Sequence, residues 1–157
     1  MKSTKQRLFL LLVIISPFIF LSCDKDDDDE SPKSRTELLT SGTWKRTALT
    51  SNPAYDWNAD GNAATDVLSI MLPCERDNFD TYKPNGIMET NEGASKCDPS
   101  DPQTWQTTWA LVDNERQIRY DDTYNYTIVE LTEITLKLRT TFEENGVTYT
   151  HDETYSH

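Results

Sequence analysis

The sequence predicts an all-β domain: roughly eight antiparallel strands in an up-and-down barrel, with one short helix. Three observations predict it. After Gly42 the residue types favour strands, and several runs alternate apolar and polar side chains with period two. Dipeptides suited to tight reversals, Asn85-Gly86, Asp113-Asn114, Asp121-Asp122 and Asn145-Gly146, separate those runs. Consecutive antiparallel strands on short turns leave two open edges, and closing the sheet on itself removes them. A sandwich of two sheets is the competing arrangement. A membrane-spanning barrel does not fit strands that are short, charged on the non-core face and without an apolar band for lipid.

The chain opens with the basic segment Met1 to Arg7, followed by fourteen largely apolar residues, Leu8 to Leu21, broken by Ser16-Pro17. That stretch is shorter than the roughly 20 residues a helix needs to cross a bilayer, so residues 1–22 read as a signal peptide. Phe20-Leu21-Ser22-Cys23 resembles a bacterial lipobox, which implies that Cys23 is lipidated, begins the mature protein and ties it to a membrane. Asp24 to Glu30 is almost wholly acidic and leads into Ser31-Pro32-Lys33-Ser34. Such a run repels itself and buries nothing, so residues 23–36 are expected to form an extended, solvated tether. An acidic cluster directly after a lipidated cysteine also resembles the export signal that sends some Gram-negative lipoproteins to the outer face of the outer membrane. Retention on the periplasmic face is the alternative.

The folded domain is expected over residues 37–157. A short helical or irregular entry at Thr36 to Leu39 leads through Gly42 into the first strand, 43–50. A short helix is predicted from Asp66 to Leu72, where Val67, Leu68 and Met71 fall at helical spacing behind an acidic start. Strands follow at 78–83, 86–91, 106–112, 115–120, 124–131, 133–142 and 146–156. The clearest is Ile134 to Phe142, with Ile134, Leu136, Leu138 and Phe142 on one face and Thr135, Lys137, Arg139 and Thr141 on the other.

Composition narrows the function. Without residues 1–22 the chain has 12 basic residues against 27 acidic ones, a formal charge of −15. That field repels nucleic acid and anionic lipid and attracts divalent cations and basic ligands. If Cys23 carries lipid, Cys74 and Cys97 have only each other in an oxidising compartment, which favours a disulfide over two buried thiols.

Trp44 two residues after Gly42, the acidic loop from Asp56, Cys74 to Phe79, Asn85-Gly86, Cys97, Trp109-Ala110-Leu111 and the Tyr126 to Leu138 segment occur in an order and spacing that resemble the lipocalin-like domain of bacterial surface lipoproteins. The resemblance spans roughly residues 38–155. It implies a calycin-type barrel, and it carries over no catalytic residue and no ligand.

Asp56-Trp57-Asn58-Ala59-Asp60-Gly61-Asn62, with Asp66 beyond, has alternating oxygen-bearing side chains and a glycine, the pattern of a calcium loop. Asp56, Asn58, Asp60 and Asp66 would supply side-chain oxygens and Asn62 a carbonyl. The twelfth position is Val67 where a helix-loop-helix site needs a bidentate glutamate, so the alternative is a polar turn whose side chains cap their own backbone. Only His151 and His157 are available as imidazole bases, and no Gly-x-Ser-x-Gly, His-Glu-x-x-His or phosphate-loop pattern occurs, so the chain reads as a non-enzyme. Trp44, Trp109, Tyr124, Tyr126, Phe142 and Tyr149 are expected to face inward. Trp57 and Trp105, on loops at a barrel mouth, and Trp109 and Tyr126, inside it, are the candidate ligand contacts. The leading expectation is a carrier of a small apolar or amphipathic molecule. The alternative is a surface interaction module stabilised by calcium and the disulfide.

Overall fold

A computed structural model describes residues 31–157; residues 1–22, Cys23 and the acidic run to Glu30 lie outside the described residues. Pro32–His157 form one compact unit that contains both apolar clusters and the disulfide, so the barrel's own stabilising contacts all lie within it. Helix α1 (Arg35–Leu39) begins inside the expected tether, because Ser34 and Glu37 form a capping box: Ser34 Oγ accepts from Glu37 N, and Glu37 accepts from Ser34 N at 2.7 Å.

The sheet comprises β1 (Thr43–Tyr55), β2 (Ala64–Asp66), β3 (Phe79–Lys83), β4 (Ile87–Asn91), β5 (Thr104–Val112), β6 (Gln117–Tyr120), β7 (Tyr124–Leu131), β8 (Thr135–Glu144) and β9 (Val147–Ser156). Each strand from β3 to β9 pairs antiparallel with the next, and β1 pairs with both β3 and β9. Eight strands therefore close into an antiparallel barrel. β1 reaches around the seam: Thr43 to Lys45 face β3, while Lys45 to Asn52 run along β9. The turns carry the backbone their sequences demand. Asn145 and Gly146 take φ of +51° and +76°, and Asp121 and Asp122 take +46° and +54°, the left-handed values a two-residue hairpin needs.

The structure departs from the sequence reading in several places. Trp105, expected on a loop, lies on β5, which begins at Thr104. β1 continues past residue 50 to Tyr55, and β2 adds a short ninth strand along that extension, pairing Thr50 with Asp66 and Tyr55 with Ala64. The single helix over 66–72 is instead two turns, α2 (Val67–Ile70) and α3 (Pro73–Arg76). Pro73 explains the break: the residue before a proline is pushed out of the helical region, so Leu72 is extended and the helix restarts with the proline in its first turn. Ile134 does not share the core face of Leu136 and Leu138. It lies in the turn ahead of β8 and is 69% exposed.

The core is densest at one end. Leu39, Trp44, Tyr82, Trp109, Ile118, Ile128, Leu136, Leu138 and Tyr155 form one buried cluster, and α1 lies over it, with Trp44 Nε1 donating to Leu39 O at 2.9 Å. A smaller cluster, Leu49, Val67 and Met71, lets α2 pack on the distal half of β1.

Candidate ligand-binding cavity

Side chains along one inward face change from exposed to buried. On β5 exposure falls from 40% at Trp105 to 8% at Trp109, and on β7 from 64% at Tyr124 to 9% at Ile128. One end of the barrel is thus a packed base and the other a mouth. A cavity of about 550 Å³ lies on the mouth side, within the range of 300–1,000 Å³ typical of small-molecule sites. Trp57, Trp105, Tyr124 and Tyr126 supply aromatic surface, Met71, Met88 and Leu138 aliphatic surface.

The cavity is polar where a solid core would be apolar. Arg46, two residues from Trp44, keeps that residue's inward phase and meets β9, where Arg46 pairs in register with Tyr155. Its Nε donates to Glu153 Oε2 at 3.1 Å and its Nη2 to Tyr155 Oη at 3.1 Å, while Tyr155 Oη donates to the same carboxylate oxygen at 2.5 Å. Burial works against the Arg46 charge, but Tyr155 and Glu153 outweigh it and hold the guanidinium firmly protonated. On the neighbouring strands, Thr90 Oγ1 donates to Asp80 Oδ1 at 2.6 Å on paired positions of β3 and β4. Burial raises the Asp80 carboxyl, opposed by the Thr90 bond and the Arg46 charge and reinforced by Glu153. Tyr82 and Tyr120 share a hydroxyl–hydroxyl hydrogen bond beneath them, and burial raises both phenols. Glu92, the residue just after β4 and two beyond Thr90, is 7% exposed, and its Oε2 is buried without a hydrogen-bond partner.

One side of the mouth is fixed covalently. Cys74 on α3 and Cys97 in the 92–103 loop are disulfide-bonded, with Cα atoms 5.2 Å apart. Asp77 seats the same loop, its Oδ2 accepting from Ala94 N, Ser95 N and Ser95 Oγ at 2.9 to 3.0 Å. Gly93 is required at the contact: its φ is +69°, and a Cβ there would stand 2.4 Å from Asp77 O.

The structure brings Trp57, Trp105 and Tyr126 together on the cavity wall. Trp109 lies outside the lining. It packs edge-on against Tyr82 at 5.3 Å between ring centroids and donates its indole N–H to Lys83 O at 3.2 Å, in the base. The 56–62 segment is a self-bonded turn: Asp56 accepts from Asp60 N and Gly61 N, and Asp60 accepts from Asn62 N and the Asn58 side chain. Asp66 is turned to another task, capping α2 through Ser69 N at 3.2 Å. Among the described residues no three His, Cys, Asp or Glu side chains gather closely enough to hold a metal ion. His151 is a buried barrel residue, ringed by Tyr55, Trp57 and Phe142; burial lowers its pKa, with Glu153 opposing.

Arg46, Asp80, Thr90, Glu92 and Glu153 were not among the candidates read from the sequence. Their signal is phase alone: Arg46 follows Trp44 by two residues, and Glu153 precedes Tyr155 by two, each on a strand whose alternate residues face inward.

No protein-family model matches the chain, and no curated protein matches it in sequence. Fold and cavity define a small antiparallel barrel with a packed base and a polar, aromatic-walled lumen at the other end.

Proposed function

We propose that this protein is a non-catalytic, lipocalin-like binding protein of the cell envelope, held to the membrane through lipid on Cys23 and carrying a small amphipathic molecule in its barrel. The observation that carries the reading is the cavity of about 550 Å³, walled by Trp57, Trp105, Tyr124 and Tyr126 and ending on polar side chains. A barrel of eight strands is just wide enough either to fill itself or to hold one small ligand, and here the mouth half is left open. Aromatic walls bury an apolar body, while the buried polar groups orient a head. The signal segment, the lipobox-like Cys23 and the acidic run after it support an envelope address, with the outer face of the outer membrane as the preferred side.

The test uses the chain from Asp24 onward, which contains the whole compact unit, and N-phenyl-1-naphthylamine, an apolar dye that brightens on leaving water. Saturable binding of about one dye per barrel is expected. Thr107→Trp, which projects an indole from the cavity wall into the lumen, is expected to block uptake while the fold persists by circular dichroism. Dye binding that is absent, or that Thr107→Trp leaves untouched, would place any ligand elsewhere.

A further inference from the structure

The cavity has an unbalanced charge. Arg46 is the one basic residue in its lining, against Glu75, Asp80, Glu92, Asp121 and Glu153. Arg46 is already engaged by Glu153 and Tyr155 and its charge also reaches Asp80, so Glu92 is the buried carboxylate left without a paired cation among the described residues. Asp80 has a hydrogen bond from Thr90. Glu92 has less: it is 7% exposed, lines the cavity, and one of its carboxylate oxygens has no partner. A buried carboxylate oxygen left unpaired is costly, and a bound donor that carries positive charge removes that cost more effectively than a neutral one.

The surroundings of Glu92 say what kind of cation fits. Trp57, Trp105, Tyr120 and Tyr126 line the same space, and aromatic faces attract organic ammonium groups through the negative potential above their rings. The carboxylates are spread over α3, β3, the segment after β4, the turn at Asp121 and β9, and do not converge as a chelating set, which suits a molecule with a separate head and body. We infer that the cavity selects a small organic cation, an ammonium-bearing amphiphile whose head sits between Glu92 and Asp80 and whose apolar body lies among Trp57, Trp105 and Tyr126. This rests on the cavity being a ligand site, and it adds the sign of the ligand's charge and the residues that read it.

Three compounds of one shape and three charges test it at neutral pH by titration calorimetry: tryptamine, indole-3-ethanol and indole-3-acetate. Tryptamine is expected to bind about tenfold tighter than the alcohol, as one charge-assisted hydrogen bond supplies, and the acetate more weakly than either. Glu92→Gln, nearly isosteric, should collapse the amine-to-alcohol ratio toward one, and Asp80→Asn should reduce it, each in a protein that keeps its far-ultraviolet spectrum. Glu143→Gln, on the exposed outer face of β8, should leave the ratio unchanged. Equal affinities, a preference for the alcohol or the acetate, or a ratio that survives both cavity variants overturns the inference. If N-phenyl-1-naphthylamine binds and none of the three indoles does, the charge assignment fails while the cavity stands. If the dye fails too, both fall together.

Discussion

Arg46 and Glu153 show how a barrel interior can tolerate charge. The pair is partly buried, and Tyr155 satisfies both members, donating to the carboxylate and accepting from the guanidinium. Removing one partner leaves the other charge buried and unpaired, which costs more than losing the pair together. Arg46→Met is therefore expected to lower unfolding free energy by about 3 kcal/mol, and Arg46→Met with Glu153→Gln to recover part of it. Urea denaturation of the two singles and the double checks this; simple additivity would contradict it. Asp80 gives a pH signature. Because burial raises its carboxyl in the folded state, the fold holds that proton to higher pH than the unfolded chain does. Its contribution is complete below the unfolded value, about 3.9, and is lost as pH rises through the folded value. Asp80→Asn should thus lose less stability than the parent as pH rises from about 4 through the raised folded value, and parallel urea midpoints would refute the assignment. These interior charges were illegible in the sequence for a physical reason. Period two marks which residues share a face, but the face is called inward from its apolar members, so nothing local singles out Arg46, Asp80, Glu92 and Glu153 as inward. Trp57, Trp105 and Tyr126 were legible because aromatics are recognised as core or contact wherever they stand.

At the scale of elements, turn chemistry placed the hairpins. Asn145-Gly146 and Asp121-Asp122 have the positive φ angles their residues allow, and β8 and β9 follow within a residue or two of their expected bounds. Ile134 slipped because an apolar residue in phase with a strand looks the same whether it starts the strand or ends the turn before it. The mouth segments are held by particular bonds more than by propensity. Replacing Cys74 and Cys97 together by Ser frees a 24-residue loop and should cost about 3 kcal/mol by the chain-entropy estimate, and it should also weaken dye binding, since Cys97 lines the cavity. Thermal melts and dye titration read the two effects; an unchanged affinity would mean that the loop does not shape the mouth. In the 56–62 turn, Asp56 accepts two backbone N–H groups. Asp56→Ala should then destabilise the metal-free protein by about 1 kcal/mol, measured with a chelator present. If calcium raises the parent's melting temperature and Asp60→Ala abolishes the rise, the same turn is a calcium loop as well.

For the whole molecule, closure is what makes the cavity. β1 pairs with β3 at its start and with β9 along its length, so the eight-strand barrel is closed, the short β2 alone stays at an edge, and the eight strands enclose a lumen they only half fill. The barrel class was legible because strand count, turn spacing and the need to remove edges all point the same way. The cavity was not, because whether inward side chains meet across a lumen depends on the register and tilt of eight strands at once, which no local pattern encodes. Its base is packed where Trp44, Tyr82, Trp109 and Tyr155 are buried together, and its mouth is open where Tyr124 and Trp105 stand apart from the packed cluster. The central claim is that this open half carries a small molecule in the cell. A native mass spectrum of the protein released from its own envelope, without refolding, tests it most directly. One adduct of a few hundred daltons per chain is expected, dissociating on unfolding and absent from Thr107→Trp. A bare mass from the native envelope, or an adduct that Thr107→Trp retains, would contradict it.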